Sequence, residues 1–427
     1  MKKLLVLGSN VGTLDIIRYA KRRGVHTIVA DNLPVERSFG KQYADDNVLI
    51  STGDLDRLED YIRKEGVSAV LAGISEFNLL NAMELCRRMG FPFYCSREQW
   101  DIVENKERFR ALCERFDVPC PRTQYVGFLP DENVLQGVRV PVIVKPVDSS
   151  ASIGITICRS REMLKEAVSL ARDHSDVKRV IIEDFIEGQE FSAHYTISNG
   201  AAVLSCIDNR IPVRVHEGDV TSIPVARIYP SSFIEEYLEQ VNPQLIRLCT
   251  SLGLDTGVLF VQGIHSETGG FHIFEAGLRC AGEAPYRILE RVNGTSFMER
   301  LLAFALGEKA EDIDVGKEDP FLKGKHCCVT SFVSKGGRIS QISGYDDITF
   351  KVPSIVDKEC RYHVGDMTPS GDTLRQIVMR FVLVCNTQDQ LMEDIETINH
   401  SIRILDGEGK DLCLFFDPRS YYSEMNR

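Results

Sequence analysis

The chain has 427 residues, 43% of them hydrophobic and 26% charged, which is enough for roughly two to four domains, each with its own core. Its formal net charge of −12, with no basic stretch to offset it, excludes a general binder of nucleic acid or acidic membrane, so individual lysines and arginines serve local purposes. The 13 cysteines contain no CxxC pair and no zinc-ligand spacing and read as reduced, mostly buried thiols. The apolar run at 4–7 stops at Gly8, too short for a signal peptide, and no segment has the apolar length of a membrane span, so a cytoplasmic protein is expected.

Residues 4–7 form an apolar strand and 8–12 a tight turn. Leu14, Ile16, Ile17 and Ala20 then follow at helical spacing up to Gly24, a C-cap signal. Strands are expected at 25–30, 67–72 and 91–94, with helices at 55–64 and 77–89. This alternation predicts a parallel sheet covered by helices. Gly8, Gly12 and Asp31 suggest a dinucleotide fingerprint, but the glycine spacing does not match G-x-G-x-x-G, and nicotinamide chemistry is set aside.

Residues 96–116 read as one helix, started by Ser96 and Glu98 with Asn105-Lys106 in its middle, until Pro119 and Pro121 break the pattern. From 122 to 191 the elements shorten into an α+β subdomain. Val142, Ile143 and Val144 are a β-branched run ending on Lys145, next to Pro146, which cannot continue a ladder. The loop that follows, with Ser149, Ser150, Ser152 and Gly154, offers hydroxyls and backbone N–H groups for a flap over phosphate oxygens. On this segment alone, a polar hairpin loop with a solvated lysine explains it equally well. The strand expected at 180–185 runs into the acidic turn from Glu183 to Glu190. That turn suits an adenine slot, with backbone for the base and a carboxylate for the ribose, or simply a solvated turn.

Two strands within 190–207 and a helix over 231–253 precede a second dense segment. Strands 258–264 and 271–275 flank Glu267-Thr268-Gly269-Gly270, a hairpin turn by composition. With Thr268-Gly269 at its centre, Gln262 stands across from Glu275, about 5 Å away on one face. A carboxylate and an amide oxygen on otherwise apolar strands are costly to bury unpartnered, and a hard cation such as Mg²⁺, bridging phosphates, is a sensible partner. Arg279, further along that face, suits a γ-phosphate or a substrate carboxylate. The other reading is a half-exposed hairpin on which Glu275 and Arg279 pair with each other. A helix pair over 285–306 and a charged linker over 308–325 follow. Short strands at 327–332, 339–342, 348–352 and 381–386 and an amphipathic helix over 388–405 then describe a β-rich tail without a catalytic constellation.

Taken together, Asn105-Lys106, Val144-Lys145-Pro146, the 149–154 loop, the Glu183 to Glu190 turn and Gln262, Glu275 and Arg279 resemble the ordered motif set of the ATP-grasp superfamily. The likeness is to the branch that contains biotin carboxylase, the purine-biosynthetic carboxylases and the synthetase domains of carbamoyl phosphate synthetase. It implies mixed α/β and α+β architecture: a Rossmann-like pre-ATP-grasp domain over 1–95, a two-lobed ATP-grasp domain over 96–310 with its lid at about 120–190, and a small β-rich C-terminal domain over 325–427.

By that resemblance Lys106 and Lys145 would contact ATP, and the loop bearing Ser149, Ser150, Ser152 and Gly154 would close over its phosphates. Glu183, Phe185 and Ile186 would line the adenine pocket, Glu190 would take the ribose, Gln262 and Glu275 would hold Mg²⁺, and Arg279 would stabilise the transferring phosphoryl group. The implied activity joins a small-molecule carboxylate to an amine through an acyl phosphate. His194, Arg210, Arg214, His216, Arg227, Glu283 and Glu76 are candidates to face substrate, and a homodimer is the default expectation. Gly277 departs from the family, which has Asn there as a metal ligand. That leaves a second reading open, an ATP-binding regulatory or partner subunit without turnover.

Overall fold

A computed structural model describes residues 1–149, 153–213, 215, 223–308, 315–371 and 373–425, so Ser150, Ser152, Arg214 and His216 lie outside the described residues. The Lys3–Leu7 strand forms where expected, and it is apolar and buried from Leu4 to Leu7 because it is an inner strand of a parallel sheet. It pairs with His26–Asp31 on one side and Ala69–Ala72 on the other, and Asp46–Leu49 extends the sheet at its edge. Helices Thr13–Arg22 and Leu55–Glu65 connect strands of this sheet, and Glu76–Met89 follows the last of them. Asp31, the residue that raised the dinucleotide question, spends its carboxylate locally: it accepts from Ser38 Oγ at 2.5 Å and Leu33 N at 2.8 Å and pairs with Lys41 Nζ at 2.9 Å. Residues 91–94 are not a strand. Tyr94 stacks on Phe93 and donates its hydroxyl to the Leu278 carbonyl at 2.9 Å, which ties this loop to the second dense segment.

The helix expected over 96–116 is two helices, Arg97–Glu104 and Lys106–Arg115. Asn105 breaks it: its backbone is extended, and its side chain caps the second helix by accepting from Glu107 N and Arg108 N, each at 3.1 Å. A similar split divides 231–253 into Ile234–Gln240 and Asn242–Ser251, with Pro243 in the first turn of the second helix, the one place where its missing N–H costs nothing.

The lid is a four-stranded antiparallel sheet in the order Thr123–Gly127, Val180–Asp184, Val142–Pro146, Thr156–Cys158, backed by helix Leu164–Asp173. It has a core of its own, built on Val142, Val144, Leu164, Val168, Val180 and Ile182. Strand alternation puts Val142 and Val144 into that core and turns Ile143 and Lys145 to the other face.

A nine-stranded sheet forms the body. Its order is Phe271–Gly277, Thr256–Ser266, Gly188–Ser198, Ala201–Val213, Ile223–Tyr229, His326–Ser334, Ile377–Cys385, Ile355–Cys360, with Cys413–Leu414 beside His326–Ser334. The C-terminal strands thus continue the sheet through Ile223–Tyr229, an element absent from the sequence reading. Two expectations in this region fail. Residues 348–352 contain a helical turn, Ile348–Lys351, instead of a strand. The last long helix ends at Ser401, and Arg403–Leu405 is a strand that pairs with Gln341–Ser343. Ile402 and Ile404 are buried with Arg403 exposed between them, a period of two that no helix accommodates. Among the described residues no helix is long and apolar enough to cross a membrane.

Candidate nucleotide and metal site

Lys145 is almost fully buried at the end of its strand, and its ammonium stands 2.6 Å from Glu183 Oε2. The contact follows from register. Ile143 pairs with Glu183 across the antiparallel ladder, so Glu183 is the diagonal neighbour of Lys145 on the face turned away from the lid core. The other Glu183 oxygen accepts from Arg110 Nε at 2.5 Å, and Arg110 Nη2 donates to the Phe274 carbonyl at 2.9 Å. Burial would raise the Glu183 carboxyl, but the two cations outweigh it and hold it at about 2. Arg110 therefore joins the lid to the hairpin strand Phe271–Gly277, and Lys145 comes to lie 6.0 Å from the Phe274 ring centroid. Arg110 was not among the residues singled out from sequence. Nothing local marks it, because its partners are 73 and 164 residues away.

Lys106 is also buried, and its ammonium donates to the Ser149 carbonyl at 2.6 Å, where the loop after Pro146 begins. Ser149 Oγ donates to the Ile153 carbonyl at 2.8 Å and closes that base. Gly154 has a positive φ of 74°, and a Cβ there would lie 2.8 Å from the Cβ of His174 and 3.0 Å from Cγ of Pro146, so only glycine lets the chain return against Pro146. Phe185 and Ile186 are half-buried in the turn after Glu183, with the Arg159 guanidinium over the Phe185 ring at 5.4 Å. Glu190 is paired with Arg210.

On the hairpin, Gln262 pairs in register with Glu275. Both are half-buried, and among the described residues neither side chain has a hydrogen-bond or ion-pair partner. An amide oxygen and a carboxylate facing each other in this way suit a hard cation whose other ligands are phosphates and water. The pairing arises differently from the two-residue turn that the composition suggests. Near the turn His265 pairs with Phe271 and Gly263 with Ile273, and an extra residue, Phe274, then shifts the register so that Gln262 meets Glu275.

Arg279 does not pair with Glu275. Its Nη2 donates to Glu76 Oε1 at 2.7 Å, its guanidinium lies 5.0 Å over the Phe260 ring, and its buried Nε has no partner among the described residues. Glu76, the first residue of helix Glu76–Met89, thus reaches the site from the N-terminal lobe. Glu104, also missed from sequence, lies against this group and accepts from Leu278 N at 3.2 Å. Burial, with Glu76 and Glu275 adding to it, pushes its carboxyl up to about 8 against the pull of Arg279.

The remaining candidates for substrate contact form one buried network. Arg227 donates to both Asp208 oxygens at 3.1 and 3.0 Å and to Ser192 Oγ at 2.8 Å, and it pairs with Glu283. His194 Nε2 stands 3.9 Å from Asp208.

Residues 138–285, which run from the lid through the hairpin to Pro285, match the family model of the ATP-grasp domain. The large chain of carbamoyl phosphate synthase from Clostridium perfringens is 24% identical over 332 residues, 74% of this chain but 30% of that one, so the chain spans under a third of that relative's length. Among solved structures, an L-amino acid ligase from Bacillus licheniformis superposes with a TM-score of 0.77 at 16% identity, over 95% of this chain and 99% of that one. A phosphoribosylglycinamide synthetase from Anaerococcus prevotii gives 0.73 at 18%, again over 95% and 99%. Residues 138–285 thus match the ATP-grasp domain, and the chain shares its fold with these two solved structures.

Proposed function

We propose that the protein is an ATP- and Mg²⁺-dependent ligase that activates a small-molecule carboxylate as an acyl phosphate for attack by an amine, releasing ADP and phosphate. The observation that carries this reading is the Gln262–Glu275 pair. These two facing oxygen donors have no hydrogen-bond or ion-pair partner among the described residues, and Glu275 adjoins Phe274, whose ring centroid lies 6.0 Å from the Lys145 ammonium. In this reading Lys106 and Lys145 neutralise phosphate oxygens, and the loop whose described residues include Ser149 and Gly154 lies over them. Glu183, Phe185 and Ile186 border the base, and Glu190 takes the ribose after releasing Arg210. Gln262 and Glu275 hold Mg²⁺, which when bound supplies positive charge to the phosphates. Arg279 neutralises the phosphoryl group in transit. No protein nucleophile is required, and catalysis rests on position and charge.

Isothermal calorimetry with ATP and Mg²⁺, followed by an ADP-release assay over a panel of acids and amines, tests the proposal. Absence of ATP binding sinks it. A second reading, an ATP-binding partner subunit without turnover, draws on Gly277, where the position of a third metal ligand carries no side chain. ATP binding without ADP release across the panel is what that reading requires.

A further inference from the structure

The registers of the nine-stranded sheet carry one set of side chains onto the face that holds the Gln262–Glu275 pair. Gln262 stands opposite Ser192, and Ser192 opposite Asp208. Two residues beyond Asp208, Arg210 is opposite Arg227, which is opposite Val329; two residues on from Val329, Ser331 is opposite Arg380, with Glu359 on its other side. Three donors on this face, Arg227 Nε, Tyr229 Oη and Arg380 Nε, are buried without a hydrogen-bond partner among the described residues, an arrangement that costs free energy unless an acceptor arrives.

Arg227 is otherwise spent on Asp208, Ser192 and Glu283. Arg380 is not. Its Nη1 donates to the Gly282 carbonyl at 2.7 Å, and the carboxylate beside it, Glu359, is 3.9 Å away through an oxygen that already accepts from Arg361 Nε at 2.8 Å and Nη2 at 2.5 Å. One carboxylate thus serves two guanidinium groups, while Asp357 is taken by Arg287. Burial, with Arg361 adding to it, pulls the Arg380 guanidinium down to about 10. A buried guanidinium with its charge half-compensated and a donor unspent is a receptor for an anion. Gly282, which Arg380 holds, is three residues from Arg279, at most roughly 11 Å of chain, so a small molecule can reach from one arginine to the other.

We infer that Arg380 receives a second anionic group on the acid substrate, which is therefore a dianion: one carboxylate meets the phosphoryl group near Arg279, and the other group, a carboxylate or a phosphate, pairs with Arg380. This assignment rests on the ligase reading above and names its substrate class. Arg380 lies on strand Ile377–Cys385, so the tail in which the sequence shows no catalytic constellation supplies a specificity-determining residue.

Calorimetric titrations of the full-length protein, with and without ATP and Mg²⁺, test it on acids of matched length: butanoate against succinate, pentanoate against glutarate, and 3-phosphonopropanoate as the phosphate-type member. At least one dianion should bind tenfold or more tightly than its monoanionic counterpart, and the tighter of the dicarboxylate and the phosphonate identifies the group. Arg380→Gln should abolish that difference and leave ATP affinity in place, and Arg380→Lys, which retains the charge, should recover part of it. Where Arg380→Gln fails to fold, Arg380→Lys decides: the preference must fall at least threefold. Absence of dianion binding, equal affinity for monoanion and dianion, or a preference that survives substitution of Arg380 overturns the assignment. If ATP does not bind, the ligase reading fails, while the titrations without ATP still decide whether Arg380 receives an anion.

Discussion

Phe260 pairs in register with Gly277, and its ring fills the volume that a side chain at 277 needs: a Cβ there would lie 2.4 Å from Phe260 Cε1 and 3.3 Å from Glu104 Oε1. The ring has little freedom to move away, being buried with the Arg279 guanidinium 5.0 Å over it and the His194 ring centroid 6.2 Å away. The glycine and the aromatic are therefore one feature. Introducing Asn at 277 alone forces the ring out and disturbs Arg279. Gly277→Asn should cost about 1–3 kcal/mol by overpacking and should not raise ATP turnover. Made in a Phe260→Ala background it should cost less, and the difference read from urea unfolding as a double-mutant cycle measures the coupling.

Lys145→Ala should weaken ATP binding by tenfold or more, because a charge-assisted contact in a buried site is worth roughly 1.5–3 kcal/mol. The variant leaves Glu183 with Arg110 as its remaining cation, so the cluster proposed to meet the nucleotide goes from net positive to net neutral. Calorimetric titration with ATP and Mg²⁺ reads the change, and an unchanged dissociation constant would show that Lys145 serves the lid alone.

The same cluster sets an acid limit on stability. Glu183 is held at about 2 in the folded chain against an ordinary value of 4.5, so the unfolded chain binds more protons in that window. Stability from this group is complete above about pH 4.5 and is lost as pH falls toward 2, amounting to something on the order of 3 kcal/mol. Glu183→Gln should lower stability at neutral pH, since it leaves Arg110 and Lys145 buried together, and should flatten the dependence between pH 3 and 5. Urea midpoints of the two proteins across that range check both the sign and the window.

Which parts of this site can be read from sequence follows from how local they are. The strand ending on Lys145 is a five-residue pattern, and its alternation alone turns the lysine away from the lid core. The Gln262–Glu275 pair is nearly as local, yet it comes about through a bulge at Phe274 that composition does not announce. The available hint is Gly263 inside a strand, where a Cβ would lie 2.5 Å from the Phe191 ring. Glu183 as the counter-ion of Lys145 depends on lid strand order, and Arg110 depends on docking a helix against two separate sheets. Neither relation has a spacing in the chain. Ile223–Tyr229 escaped for a different reason: it is buried along its whole length, so alternation is absent and Pro224 argues locally against a strand.

Arg279 offers the sharpest separation of binding from chemistry. Its guanidinium plane is fixed from two directions, by Glu76 at 2.7 Å and by the face of Phe260, while its Nε is left without a partner among the described residues. A lysine retains the charge but neither stacks nor presents a fork. If Arg279 meets charge that develops only as the phosphoryl group moves, Arg279→Lys should lower kcat by about 10²-fold or more with little change in ATP affinity, the scale seen when one positioned donor is lost. Glu76→Gln, which loosens the guanidinium without removing it, should give a smaller loss in kcat and leave ATP affinity intact. ADP release under saturating substrate, set beside calorimetric ATP binding for both variants, separates the two effects. A fall in ATP affinity that matches the fall in kcat would instead make Arg279 a ground-state contact to the nucleotide.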